Sequence, residues 1–195
     1  MTDRSNLVVA DDGLARCGWV GNDPEYLRYH DEEWGRPLHG DRALFEKISL
    51  EGFQAGLSWI SILRRRPGFR EVFHGFEPER VAAMTADDVE ALMLDTRIIR
   101  NRAKILSTIS NAHIVLDLTV ESPGALDELV WSFAPPPRPR PRTLDDLAAV
   151  TPESTALSKA LRKLGFGFVG PTTMHALMQS AGLLDDHLEG CFRAS

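Results

Sequence analysis

This chain has two cysteines, Cys17 and Cys191, and each has a histidine in the same terminal segment, His30 and His187. At the carboxyl end, His187 precedes Cys191 by four residues in LLDDHLEGCF, a spacing of about one helical turn. Thiolates and imidazoles are the groups that most often bind zinc in proteins. Because structural disulfides are rare in a reducing compartment, we interpret the two cysteines as metal ligands or as free thiols.

A second group of candidate residues lies in CGWVGNDPEYLRYHDEEWG, residues 17–35. This segment holds half of the tryptophans and both tyrosines of the chain: Trp19, Tyr26, Tyr29 and Trp34. Aromatic clusters usually fill a core. This one is also rich in polar and charged residues, so we expect some of its rings to form the wall of a cavity that a polar ligand enters.

Glu51 is a carboxylate on the apolar side of a predicted helix that is capped by Asp41. It follows Ile48 by three residues and precedes Ala55 by four. A buried charge is costly unless it is paired. Glu51 is therefore expected either to form a salt bridge with an arginine or to bind a cationic or hydrogen-bond-donating ligand.

Positive charge is concentrated in a few windows of an acidic chain. The net charge of -6 argues against a generally basic surface for nucleic acid. Residues 96–116 nonetheless contain four cationic side chains and no acidic one. Residues 154–184 contain three cationic side chains and again no acidic one. Together with RRR at 64–66 and PPPRPRPR at 135–142, these windows predict either a phosphate-binding surface or ordinary solvated helix faces.

Length and hydrophobic periodicity predict a globular protein of the all-α class. No window is apolar enough for a membrane helix and the amino end lacks the features of a signal peptide, so a cytoplasmic protein is expected. Residues 1–15 are expected to form a flexible tail. Apolar periodicity and capping residues predict helices over 42–65, 85–94, 100–117, 123–133, 154–164 and 171–184, with Ser122 as the cap of the fourth.

The last two predicted helices flank GFGFVG, residues 165–170. Gly165, Gly167 and Gly170 permit positive φ angles and close approach of another backbone, and Pro171 opens the second helix with its amides unpaired. Such amides bind phosphate oxygens, and Lys163 lies nearby. The segment predicts a hairpin that holds the DNA backbone, with a plain turn between two helices as the alternative.

The motifs together resemble 3-methyladenine DNA glycosylase I, a family of the helix-hairpin-helix superfamily. The resemblance runs from Arg16 to Cys191 in unbroken order. It implies one helical glycosylase domain over residues 16–195, with two lobes that share a cleft. The matching segments are RCGWV, DPEYLRYHDEEWG, LFEKISLEGFQAGLSWISILRRR, FHGFEPERVAAM, IIRNRAKI, WSF, SKALRKLGFGFVGPTTMHALMQSAGLLDDH and GC.

The resemblance also implies a structural zinc ion. Members of this family bind zinc through two cysteines and two histidines from both ends of the chain, and the matching positions here are Cys17, His30, His187 and Cys191. Four protein ligands close the tetrahedron and leave no position for a water nucleophile. The expected ion therefore joins the amino-terminal and carboxyl-terminal segments and takes no part in catalysis.

The base pocket implied by the resemblance contains Glu51, Trp59, Tyr29 and Trp19, with Tyr26 and Trp34 as neighbours. Methylation at N3 makes adenine cationic and weakens its glycosidic bond, so aromatic faces and a carboxylate suit the flipped base. The implied protein is a monomeric base-excision repair enzyme that hydrolyses the N-glycosidic bond of 3-methyladenine in alkylated double-stranded DNA. Glu51 is its implied catalytic residue. The expected DNA contacts are Lys163, Gly165, Gly167 and Gly170.

Two other classes of function fit the same motifs, namely a DNA-damage-binding protein that does not cleave and a zinc-stapled helical interaction module. The sequence also departs from the expected pattern in two places. Asp185 lies near the position at which many enzymes of the wider superfamily carry a catalytic aspartate, so it is a reserve candidate. Arg97 stands where a small residue is expected, which leaves the local turn undetermined.

Overall fold

Residues 7–194 are described by a computed structural model, and most of them are helical. Two short strands, β1 (Leu7–Val9) and β2 (Ala15–Cys17), precede the helices, and single 3₁₀ turns lie at Gly18–Val20, His74–Phe76 and Leu144–Asp146. None of the helices in this range is long and apolar enough to cross a membrane. The helices are α1 (Pro24–Glu32), α2 (Asp41–Gln54), α3 (Trp59–Leu63), α4 (Arg66–Val72), α5 (Pro78–Ala82), α6 (Ala86–Leu94), α7 (Arg102–Thr119), α8 (Ala125–Trp131), α9 (Pro152–Lys163) and α10 (Pro171–Ser180).

The amino end contains a two-stranded antiparallel ribbon that the sequence analysis did not predict. Leu7 pairs with Cys17 and Val9 with Ala15, across a turn in which Gly13 has a φ of +77°. The first six residues, part of the predicted tail, lie outside the described range. The prediction of a tail up to residue 15 does not hold for residues 7–15, and three-residue strands are too short to show an alternating pattern.

The predicted helix over residues 42–65 is broken into α2 and α3. The chain turns at Gly56, whose φ is +82°. Lys104 of α7 donates from Nζ to the carbonyl oxygens of Phe53 and Ala55, at 2.8 and 2.7 Å, and so satisfies carbonyls at the end of α2. The apolar periodicity continues across the break because both helices face the interior, so the sequence pattern did not reveal it.

Asp41 caps a different helix from the one predicted. Gly40 is the N-cap of α2, and the Asp41 carboxylate accepts hydrogen bonds from the backbone amides of Gly124, Leu126 and Asp127, at 2.7, 3.0 and 3.0 Å. A carboxylate at this position stabilises the start of α8 through its unpaired amides and its dipole. α8 begins at Ala125, two residues after Pro123, the predicted first helical residue.

The turn around Arg97 packs directly on α4. A Cβ atom added to Gly68 would lie 2.8 Å from the Cβ of Arg97 and 2.9 Å from its carbonyl oxygen, so Gly68 permits the contact. The Arg97 guanidinium pairs with Asp95 and Glu71 on the surface. The small residue that this packing requires is therefore Gly68 of α4, and Arg97 is accommodated.

Two hydrophobic clusters meet at Trp59. The larger lies among α2, α7, α9 and α10 and includes Phe45 and Leu177. The smaller joins the two ends of the chain, and Trp59 packs against both clusters. The prediction of two lobes with a shared cleft stays a prediction. The buried members of the smaller cluster are Cys17, Tyr29, Trp34, Leu63, Leu188 and Cys191.

Candidate active site

A cavity of about 310 Å³ opens where the two clusters meet. All six residues that the sequence analysis assigned to a base pocket line it: Trp19, Tyr26, Tyr29, Trp34, Glu51 and Trp59. These side chains come from the 3₁₀ turn after β2, from α1 and the segment after it, and from α2 and α3. The volume is at the lower end of the range usual for small-molecule sites. The sequence analysis did not single out the remaining lining residues, which are Gln54, Leu144, Leu147, Ala176, Gln179 and Ser180.

The aromatic side chains of the cavity hold one another in place. The Trp19 ring meets the rings of Tyr26 and Trp34 edge to face, with centroids 5.6 and 5.1 Å away. The rings of Tyr29 and Trp59 are tilted by 45° at a centroid distance of 5.5 Å. The Tyr26 hydroxyl accepts a hydrogen bond from the backbone amide of Ile60 at 3.0 Å, which fixes the start of α3 and with it Trp59.

Glu51 is buried in the wall of the cavity, with only 3% of its surface exposed. Its Oε1 accepts a hydrogen bond from the Ser180 hydroxyl at 2.9 Å, whereas Oε2 has no hydrogen-bond partner among residues 7–194. Burial raises the pKa of Glu51, while the nearby ammonium of Lys47 and the Ser180 bond act in the opposite direction. The alternative of a salt bridge with an arginine is not realised within the described residues.

A second buried polar atom of the cavity wall is also unsatisfied. The indole Nε1 of Trp59 is a donor without an acceptor in the described part of the chain. Buried polar groups are nearly always hydrogen-bonded, so exceptions call for an explanation. Oε2 of Glu51 and Nε1 of Trp59 are an acceptor and a donor that a ligand with both kinds of group can satisfy.

Three of the four predicted metal ligands converge behind this cavity. The donor atoms of Cys17, His30 and Cys191 lie within 4.8 Å of one another, and all three residues are buried. Cys191 Sγ is 3.5 Å from Nε2 of His30, and Cys17 Sγ accepts a hydrogen bond from the Leu188 amide at 3.3 Å. A hydrogen bond from the Cys17 thiol lowers the pKa of Cys191, which favours one thiolate in the cluster.

The fourth predicted ligand, His187, lies beside this group but outside the 4.8 Å cluster. Its ring centroid is 5.0 Å from that of His30, and its buried Nε2 has no hydrogen-bond partner among residues 7–194. In both histidines Nδ1 contacts a carboxylate, Asp31 at 2.8 Å from His30 and Asp185 at 3.0 Å from His187. Such carboxylates fix the ring so that Nε2 is left for a ligand, as is usual around protein-bound metals.

Trp34 connects the cavity with the cysteine and histidine cluster. Its ring lines the cavity, and it lies edge-on to His187 at a centroid distance of 4.6 Å and stacked on His30 at 6.2 Å. The position of this cavity wall therefore depends on the packing of the two histidines.

Asp185, the reserve candidate for catalysis, does not line the cavity. Its carboxylate pairs with Arg140 and contacts Nδ1 of His187, and about half of its side chain is exposed. This geometry assigns Asp185 to the orientation of His187, a role that the spacing in the sequence did not indicate.

The hairpin between α9 and α10 lies between the two predicted helices, and one of its glycines, Gly167, is hydrogen-bonded to α7. Gly165 has a φ of +100°, and a Cβ atom on Gly170 would meet nothing closer than 3.6 Å. The amide of Gly167 donates to Oδ1 of Asn111 at 2.8 Å, and its carbonyl oxygen accepts from Nδ2 of Asn111 at 3.2 Å. Both backbone groups of Gly167 are thus hydrogen-bonded to Asn111 within the protein, and its predicted contact with DNA stays a prediction.

Lys47 and Ser180 are the main polar groups that the sequence analysis missed. Lys47 has a recognisable signal, because it precedes Glu51 by four residues on the same helix and so shares its face. Ser180 has none, since it reaches Glu51 only because α10 packs against α2.

Comparison with known proteins identifies the family. A family model described as methyladenine glycosylase matches residues 19–194. The chain belongs to this family. It is 48% identical over 180 residues to DNA-3-methyladenine glycosylase 1 of Escherichia coli, and the aligned region covers 91% of this chain and 96% of the relative. It is also 48% identical over 180 residues to DNA-3-methyladenine glycosylase of Haemophilus influenzae, with 90% and 96% covered.

Solved structures of methyladenine glycosylases share the fold. A crystal structure of 3-methyladenine DNA glycosylase I superimposes with a TM-score of 0.87 at 49% identity, covering 91% of this chain and 98% of the other. The Staphylococcus aureus enzyme, described with its recognition of 3-methyladenine, has a TM-score of 0.86 at 36% identity, with 92% and 96% covered. These findings confirm the predicted function, a 3-methyladenine DNA glycosylase of base-excision repair.

Proposed function

We propose that the cavity binds a 3-methyladenine nucleotide flipped out of double-stranded DNA, and that Glu51 with the surrounding rings promotes hydrolysis of its N-glycosidic bond. The observation that carries this proposal is the free Oε2 of Glu51, a buried carboxylate oxygen without a partner in the described chain, in an aromatic cavity. An exocyclic amino group of adenine is a donor that satisfies Oε2. A ring nitrogen is an acceptor that satisfies Nε1 of Trp59.

The chemical step requires little from the protein beyond binding and orientation. The bond between C1′ of the sugar and N9 of the base breaks, and its electron pair stays on N9, so that the cationic base leaves as neutral 3-methyladenine. A water molecule adds to C1′ and releases a proton to solvent. Because the methylated base is a good leaving group, differential stabilisation of the separating charges is sufficient. The buried carboxylate of Glu51 and the aromatic rings supply that stabilisation.

The same pocket should discriminate against guanine. At the position of the adenine amino group guanine has a carbonyl oxygen, which would face Oε2 of Glu51 as a second acceptor. An unsatisfied buried contact of this kind costs about 1 to 3 kcal/mol, and this corresponds to a discrimination of roughly fivefold to more than a hundredfold.

Cys17, His30, His187 and Cys191 fit a zinc ion. This assignment is supported by two buried thiols, by the free Nε2 of His187 and by the carboxylates on both Nδ1 atoms. Bound zinc would supply a closed tetrahedral link with no open coordination position. The four side chains themselves hold β2, α1 and the carboxyl-terminal segment together, and through Trp34 they support the cavity wall.

The hairpin between α9 and α10 is the proposed contact with the DNA backbone. Lys159, Arg162 and Lys163 are exposed beside it, and none of them pairs with an acidic side chain in the described range. Gly170 precedes the free amides at the start of α10, where a phosphate is favoured by the helix dipole. This helix-hairpin-helix arrangement suits binding of a monomer to duplex DNA without sequence preference.

Chromatography of free bases released from methylated duplex DNA tests the proposal. The parent protein is expected to release 3-methyladenine and far less 7-methylguanine, and Glu51→Gln is expected to lose most of this activity while it keeps its fold. Asp185→Asn is the matched carboxylate control and should retain most activity. Comparable release of both bases by the parent, or full activity of Glu51→Gln, contradicts the assignment. A protein that retains DNA but releases no base would belong to the non-catalytic class.

A further inference from the structure

Lys47 places a buried positive charge against the wall of the base cavity. Only 8% of this residue is exposed, and its Nζ donates a hydrogen bond to the Tyr29 hydroxyl at 3.0 Å. Nζ also lies 4.9 Å from the centroid of the Tyr29 ring and 4.7 Å from that of Trp59. Lys47 does not line the base cavity itself but a neighbouring one, so its ammonium contacts the two aromatic walls from outside.

This arrangement changes the charge that a ligand meets. A pocket with only Glu51 would be anionic and would attract any cation. Here Lys47 lies four residues before Glu51 on α2, and its ammonium acts on the same carboxylate. The rings of Tyr29 and Trp59 already contact one cation, so their capacity to attract a second is reduced.

We propose that Lys47 is a specificity-determining residue that lowers the affinity of the cavity for cationic bases relative to neutral ones. The inference rests on the proposed function of the cavity. Its consequence follows from the charge of the base, which is positive while the base is attached to the sugar and neutral after the bond between C1′ and N9 has broken. The repulsion from Lys47 is present with the attached base and is lost with the departing one, so it favours bond cleavage.

Two small molecules separate the charge effect from general pocket damage. Neutral 3-methyladenine represents the departing base, and the 3,9-dimethyladeninium cation represents the attached one. Binding of each is measured from the fluorescence of the tryptophans that line the cavity. Two charges separated by an aromatic ring at an effective dielectric constant of about 20 repel enough to weaken binding roughly tenfold or more.

The informative variants are Lys47→Met, which keeps an unbranched side chain without the charge, and Lys47→Arg, which keeps the charge. Lys47→Met is expected to bind the cation roughly tenfold better relative to neutral 3-methyladenine than the parent does. Lys47→Arg should keep the ratio of the parent. An unchanged ratio in Lys47→Met, or an equal loss of both ligands in the two variants, would overturn the inference and leave Lys47 as a support for Tyr29.

A pH titration of the unmodified protein tests the same point without a substitution. Burial lowers the pKa of Lys47 to about 8. The affinity for the cation relative to the neutral base should therefore rise between about pH 7 and pH 9 in the parent and stay flat in Lys47→Arg. A flat ratio in both proteins contradicts the inference. The charged or titratable groups around Lys47 are Tyr29, Glu32, Glu33, Arg36, Glu46, Glu51, Arg66 and Arg70, and all of them are kept in Lys47→Arg.

The two hypotheses fail in different ways. A parent protein that releases no 3-methyladenine from methylated DNA contradicts the proposed function whatever the ligand ratios are. A parent that releases the base while Lys47→Met and the parent have the same ratio of affinities contradicts only the role of Lys47.

Discussion

Ser180 and Glu51 lie 129 residues apart in the chain, and the Ser180 hydroxyl donates to Oε1 of Glu51 at 2.9 Å. This bond is the only one that a described residue makes to the Glu51 side chain. It connects the end of α10 to the middle of α2 and thereby joins the hairpin helices to the base cavity.

Ser180→Ala should lower activity at neutral pH by roughly tenfold to a hundredfold, because a hydrogen bond to a buried charge contributes about 1.5 to 3 kcal/mol. The bond favours the ionised form of Glu51, so its loss raises the pKa of this carboxyl further. Activity that depends on the ionised form is present above that pKa and is lost as the pH falls through it, so the acid limb should move to higher pH. The measurement is the pH profile of 3-methyladenine release.

Ser49→Ala is the control for this experiment. Ser49 is a buried serine of the same helix as Glu51, but its hydroxyl donates to the carbonyl oxygen of Phe45 and does not reach the cavity. An acid limb that moves equally in both variants would indicate a general loss of packing.

The purified protein should contain one zinc ion per chain, and its removal should lower stability more than it alters the chemistry. His187→Ala and Cys17→Ala are each expected to lower the free energy of unfolding by several kcal/mol, since the binding energy of a closed site is folding energy. Elemental analysis and thermal unfolding with and without a chelator measure the two effects. His113→Ala removes an exposed histidine and should change neither the zinc content nor the stability. Substoichiometric zinc in carefully prepared protein would count against the site.

Lys163→Ala should weaken binding to duplex DNA about equally for all sequences. Each phosphate contact contributes close to one unit to the slope of log affinity against log salt concentration, so the slope should fall by about 1. Arg70→Ala provides the control, because Arg70 is occupied by Glu46 at 2.7 Å. A slope that changes in Arg70→Ala and not in Lys163→Ala would move the DNA surface away from the hairpin.

Gly167→Ala should destabilise the protein, since a Cβ atom there would lie 2.2 Å from Oγ of Ser107 and 3.2 Å from its Cβ. Such overpacking costs about 1 to 3 kcal/mol. Ser107→Ala alone removes a buried hydroxyl without a partner among the described residues and should cost little. In the double variant Gly167→Ala/Ser107→Ala the stability should be partly restored, because the close contact with Oγ of Ser107 is gone. Denaturant unfolding of the four proteins gives the coupling energy, and strict additivity would refute the contact.

The sequence by itself determined the helical class, the position of Glu51 on a buried face and the residues that form the aromatic wall. Glu51 was recognisable because helical periodicity relates it to Ile48 and Ala55. Four of the five rings of the aromatic wall were recognisable because they are concentrated in one segment with polar neighbours, and Trp59 came from the resemblance to the family. The order of the motifs identified the family. Each of these features is local, or is a sum of local patterns, and a sequence displays it directly.

Only the tertiary structure decided which groups act on these residues. Ser180 meets Glu51, and Asn111 binds both backbone groups of Gly167, because helices that are distant in the chain pack together. Asp41 stabilises α8 for the same reason, although its own helix offered the simpler interpretation. Hydrogen-bond partners across helices depend on crossing geometry and on which donors remain unpaired, and neither has a periodic signature in the sequence.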